Sequence, residues 1–81
     1  AKFSAIYPNP SANNLYLDYQ LTDTEKATIG LYNLNGQLVL QQHISGNGQL
    51  QIPTQNLPAG IYYYTIVLNN QLVVRSKVVI L

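Results

Sequence analysis

The chain has no cysteine, no methionine and no tryptophan, one histidine and one phenylalanine, and charge on only 9% of its 81 residues. Without cysteine there is neither a disulfide framework nor a thiolate metal ligand, and the redox compartment is left open, because exported proteins also occur without cysteine. Four basic and three acidic residues leave a net charge of +1, which excludes nucleic acid as a partner class, since a polyanion needs Lys and Arg gathered on one face. No apolar run approaches the roughly 20 residues of a membrane-spanning helix. Residues 1–7 lack the basic start and long apolar stretch of a secretory signal. The chain opens on Ala1 rather than Met, so the expectation is a piece of a longer protein.

What is present points to a folded β domain. Hydrophobic residues make up 47% of the chain and seven of its eight aromatics are tyrosine, a composition far from that of disordered segments. Tyr, Val, Ile and Thr pack well on a pleated surface, which favours strands over helices. A chain this short buries only roughly 60–65% of its unfolded surface and builds one thin core. The expectation is a single domain over residues 1–81, with 1–7 as a linker or first edge strand.

The pattern along the chain has period two. Tyr7-Pro8-Asn9-Pro10 removes two backbone donors and supplies turn-forming side chains, so it reads as an irregular opening segment. Leu15, Leu17, Tyr19 and Leu21 then alternate with Tyr16, Asp18 and Gln20, as a half-buried strand requires. A second strand over 27–32 points Ala27, Ile29 and Leu31 inward, and Asn35-Gly36 marks a tight hairpin into a third over 37–44. The run Ser45-Gly46-Asn47-Gly48 reads as a turn, followed by a short strand over 49–52 ended by Pro53. After the bend Leu57-Pro58-Ala59-Gly60, residues 61–68 are apolar on both faces, which predicts a central strand. Asn69-Asn70 is the two-residue turn into a closing strand over 71–81. Six to seven short strands without a helical period predict an all-β fold, a small antiparallel Ig-like β-sandwich, with a small barrel as the alternative.

No residue set reads as catalytic, cofactor-binding or metal-binding. His43 has no second His or Cys to complete a metal site and no positioned Ser to activate. Asp18, Asp23 and Glu25 lack the ligand spacing of calcium loops. Gly46-Asn47-Gly48 is too short for a phosphate cradle and no helix follows it. No cofactor is expected. Tyr62, Tyr63 and Tyr64 are consecutive, so Tyr63 must face away from its neighbours. Aromatic stripes on a sheet bind sugars by stacking, which keeps open a carbohydrate-binding or adhesive module. An Ig-like spacer between domains is a third reading.

Four segments become informative together: Tyr7-Pro8-Asn9-Pro10, Leu31-Tyr32-Asn33 with Gly36-Gln37-Leu38-Val39, Leu57-Pro58-Ala59-Gly60-Ile61-Tyr62, and the closing Lys77-Val78-Val79-Ile80-Leu81. In order and spacing the chain resembles the type A C-terminal sorting domain of proteins exported by the type IX (Por) secretion system of Bacteroidetes. The resemblance runs from about Tyr7 to Leu81.

That resemblance implies a cargo tag rather than an effector. Members reach the periplasm by an ordinary signal peptide and cross the outer membrane because the secretion machinery, including an outer-membrane shuttle, reads this domain at the end of an N-terminal cargo. A sortase-like protease commonly removes it, leaving the cargo on the cell surface or released. Carried over by position, recognition falls on Leu57, Pro58, Ala59, Gly60, Ile61 and Tyr62 and on Lys77, Val78, Val79, Ile80 and Leu81, with cleavage near or upstream of residues 1–3. The basic pair often seen near the family's end is here Arg75 and Lys77, split by Ser76. A nearly uncharged closing strand at a sheet margin offers unpaired backbone groups to a partner strand, and the same edge allows a homodimer by strand pairing or swapping.

Overall fold

A computed structural model describes all residues, 1–81. It contains seven strands and no helix: β1 Lys2–Phe3, β2 Asn14–Gln20, β3 Ala27–Tyr32, β4 Leu38–Ile44, β5 Asn47–Pro53, β6 Gly60–Leu68 and β7 Gln71–Ile80. They form two antiparallel sheets, ordered β1-β2-β5 and β4-β3-β6-β7. The predicted alternation is what holds them together. Leu15, Leu17 and Ile52 from the first sheet meet Ile29, Leu31, Tyr62, Tyr64, Ile66, Val78 and Ile80 from the second in one buried cluster. Consecutive residues of a strand point to opposite faces, so each of these sets leaves its neighbours outside. The sandwich is the expected one, and β6 lies between β3 and β7 as its two-sided apolar pattern predicts.

Chain crossings set the topology. β3–β4 and β6–β7 are hairpins, whereas Ser45 and Gly46 carry the chain from the edge of one sheet to the edge of the other. Asn69 and Asn70 both take positive φ, 47° and 67°, the geometry of a type I′ turn. The β3–β4 connection differs from the expected Asn-Gly turn: only Gly36 takes positive φ, 79°. The cause is Asn33, whose Oδ1 accepts from the N–H of Asn35 at 2.9 Å and of Gln37 at 3.0 Å. That side chain builds the turn, and the register slips between Leu31 and Tyr32, opposite Val39.

Strand β5 begins at Asn47, two residues before the expected start, because Asn47 and Gly48 pair with Gln20 and Tyr19. A Cβ at Gly48 would stand 3.4 Å from the Tyr19 hydroxyl, in ordinary contact with the ring that lies across the partner strand. The expected turn is thereby reduced to Ser45 and Gly46.

At the start of β6 the Tyr62 hydroxyl donates to the carbonyl of Pro58 at 2.6 Å. A tyrosine near the start of this strand, bonded to backbone a few residues upstream, is the tyrosine corner of immunoglobulin-like sandwiches. Tyr62→Phe keeps the ring in the core and removes this bond, which costs about 0.5–1.5 kcal/mol. A thermal melt checks it: in a domain of this size the midpoint falls by about 4–8 °C per kcal/mol.

Candidate functional site

The two segments singled out in the sequence lie side by side. β6 and β7 pair in the register Gly60↔Ile80, Ile61↔Val79, Tyr62↔Val78 and Tyr63↔Lys77. The bend before β6 and the tip of β7 thus form one continuous end of the four-stranded sheet. Alternation sorts their side chains. Tyr62, Val78 and Ile80 point inward and are buried, whereas Ile61, Lys77 and Val79 belong to the outer face. Pro58, Ala59 and Gly60 are exposed and Leu57 is half-buried against the core. Leu81 lies beyond the strand and is exposed.

The edge of that tip is closed, which corrects the expectation of unpaired backbone groups at 77–81. Four outward-facing backbone groups of residues 77–81 are taken by the opening segment. The N–H of Ser11 donates to the carbonyl of Val79 at 2.9 Å, and the N–H of Leu81 donates to the carbonyl of Ser11 at 2.8 Å. Asn9 completes the seal: its Nδ2 donates to the carbonyl of Lys77 at 3.2 Å and its Oδ1 accepts from the N–H of Val79 at 3.0 Å. Ser11 itself is fully buried, and its hydroxyl donates to the carbonyl of Asn14 at 2.7 Å. The segment expected to be irregular is a strap running parallel to β7. Pro8 and Pro10 have no N–H to offer; between and after them Asn9 bonds through its side-chain amide and Ser11 through its backbone. β7 is a sheet margin, as expected, but a margin already paired at its end.

The outer faces of the two sheets differ in chemistry. On β2 and β5 the outward residues are Tyr16, Asp18, Gln20, Gln49 and Gln51. Tyr7 lies over them, its hydroxyl donating to the Asp18 carboxylate at 3.0 Å and accepting from the Gln49 amide at 2.8 Å. The Tyr7 and Tyr16 rings are tilted by 31° with centroids 5.8 Å apart, so they form no coplanar stacking platform. On the four-stranded sheet the outward residues include Leu38, Tyr32, Ile61, Tyr63, Val67 and Leu72, with Arg75 and Lys77 beside them. Arg75 places its guanidinium carbon 5.4 Å from the centroid of the Tyr63 ring.

The remaining polar candidates are held by neighbours. His43 Nδ1 and Thr28 Oγ1 are 2.9 Å apart on the exposed side of β3 and β4. Glu25 Oε1 accepts from the N–H of Thr22 at 2.8 Å, and this backbone bond holds its carboxyl below the usual carboxylate range. With Asp18 bonded to Tyr7, the acids do not come together, and no three His, Asp or Glu side chains gather as a metal site would need.

These surfaces sit on a small all-β sandwich of two antiparallel sheets, with a strapped edge at the end of β7 and an apolar, cationic outer face. A family model described as the secretion system C-terminal sorting domain matches residues 5–81. The chain belongs to that family, and it is a C-terminal sorting signal for type IX secretion. Family membership implies interaction with the type IX machinery, attachment to an N-terminal cargo and export out of the cell, and the family is one of signals rather than catalysts. No curated protein matches the chain.

Proposed function

We propose that residues 1–81 act as one sorting domain behind an exported cargo, and that the machinery reads it at the joined end formed by residues 57–62 and 77–81. What supports this most is the β6–β7 register, which brings two segments distant in sequence into one surface. On this reading an outer-membrane shuttle receives the domain after its cargo enters the periplasm. A sortase-like protease then cuts near or upstream of residues 1–3 and delivers the cargo to the surface or the medium.

The test joins residues 1–81 to the C-terminus of a fluorescent protein bearing a signal peptide, expressed in a type IX-competent bacterium and followed by fractionation. The expected result is delivery to surface or medium, with the fluorescent protein alone held in the periplasm. Periplasmic retention of the full fusion, with the domain folded, overturns the proposal.

A further inference from the structure

The outer face of β4-β3-β6-β7 departs from what a solvated sheet face carries. Antiparallel sheets packed on one side normally alternate apolar-in with polar-out, as β2 and β5 do. Here Leu38, Ile61 and Leu72 stand outward at 47%, 40% and 57% exposure. A shallow concavity on this face is lined by Tyr32, Leu34, Tyr63, Val67, Leu72 and Arg75. Leu34 reaches it from the β3–β4 turn and is itself 66% exposed. Contiguous exposed apolar surface rimmed by polar groups marks an interaction site.

Charge narrows the partner. Arg75 and Lys77 follow each other on this face, opposite Thr65 and Tyr63. Neither meets a carboxylate of its own chain, since the sole salt bridge joins the amino group of Ala1 to Glu25. The acids lie elsewhere: Asp18 on the opposite sheet, Asp23 and Glu25 in the connection between β2 and β3. Arg75, held against the Tyr63 ring, is a planar donor fork suited to a carboxylate. The strapped edge adds the last constraint, because a partner approaching 77–81 finds both backbone groups of Val79, the Lys77 carbonyl and the Leu81 N–H already taken.

We propose that this face, centred on Tyr63 and Arg75, is the docking surface for a protein of the export machinery that presents a carboxylate beside an apolar side chain. The inference rests on the sorting function proposed above and extends its reading surface from the joined end, through Lys77 and its partner Tyr63, across the outer face. The apolar residue enters the concavity between Leu34 and Leu72, and the carboxylate meets Arg75 and Lys77.

Two doubly substituted fusions test it, each lowering the net charge by the same amount on opposite faces: Arg75→Gln with Lys77→Gln, and Gln20→Glu with Gln51→Glu. All four side chains are exposed, and thermal melts of the purified domains verify folding. The expected result is a loss of about tenfold or more in delivered fluorescence for the first pair, as for removal of interfacial charges, with the second pair delivered like the parent. Exchanging the cations, Arg75→Lys with Lys77→Arg, lowers delivery less than the Gln pair does, because the charge stays while the planar fork at 75 is lost. Normal delivery of the Arg75→Gln, Lys77→Gln fusion overturns the docking face while the sorting reading stands. Equal loss in both pairs assigns the effect to net charge and overturns it too. Failure of the parent fusion removes the sorting reading and this inference with it. Co-sedimentation with anionic phospholipid vesicles that is lost in the first pair assigns the cations to a headgroup and overturns the protein partner.

Discussion

Replacing Val78 with aspartate will leave the domain unfolded in neutral buffer at room temperature. Val78 is fully buried opposite Tyr62, inside the cluster that joins the two sheets. The substitution forfeits about 1.5–3 kcal/mol of valine burial and places an unpaired carboxylate where the effective desolvation cost is several kcal/mol. A domain of this length has a total stability of about 4–12 kcal/mol, so the sum approaches or exceeds what holds the fold. Loss of chemical-shift dispersion in a proton–nitrogen spectrum checks it, and a dispersed, native-like spectrum refutes it. Val79→Thr, one residue along on the outer face, leaves the spectrum native. The comparison matters for function. Removing residues 77–81 deletes Val78 and Ile80 from the core, so failed export of such a truncation reports lost folding as readily as lost recognition. Outward substitutions at Ile61, Lys77 and Val79 separate the two.

The period-two signal carried most of this architecture because the physics behind it is local. Leu15 and Leu17, Ala27, Ile29 and Leu31, and Tyr62, Tyr64 and Ile66 are all inward as their alternation requires. Asn69-Asn70 was legible for the same reason, since two adjacent residues that tolerate positive φ suffice for that turn. The Asn33 turn was harder to read: an Asn side chain competes with the backbone for the same hydrogen bonds, and composition does not say which wins. Pairing of β2 with β5, and of Ser11 with Ile80, depends on contacts between distant parts of the chain, about which local pattern is silent. So it was with the candidate site. The sequence order marked both segments, but only the register between β6 and β7 separates Ile61, Lys77 and Val79, which face outward, from Tyr62, Val78 and Ile80, which hold the core.

The strap shows how a margin strand is protected by bonds from a neighbouring segment, alongside the charge of Lys77 at its tip. Edge strands are commonly blunted by Lys, Pro or a covering loop. Here Pro8 and Pro10 flank the one side chain that bonds twice to β7, and the covering loop comes from residues 8–11 of the same chain. Asn9→Ala is therefore expected to loosen the tip without unfolding the sandwich, because Asn9 is exposed and contributes no core atom. It removes the bonds to the Lys77 carbonyl and the Val79 N–H, at a cost of about 0.5–1.5 kcal/mol each. Hydrogen exchange reads the effect where it arises. The Val79 amide should exchange about ten- to a hundredfold faster, while the amide of Ile66 in the central strand slows or quickens only with the global stability. An unchanged Val79 rate would mean that Ser11 alone holds the edge. If export rises in the Asn9→Ala fusion, the strap limits access to the β7 backbone, and strand addition rather than the outer face is the mode of reading. Unaltered export alongside faster exchange is the result expected if the machinery reads side chains and leaves the sealed edge alone.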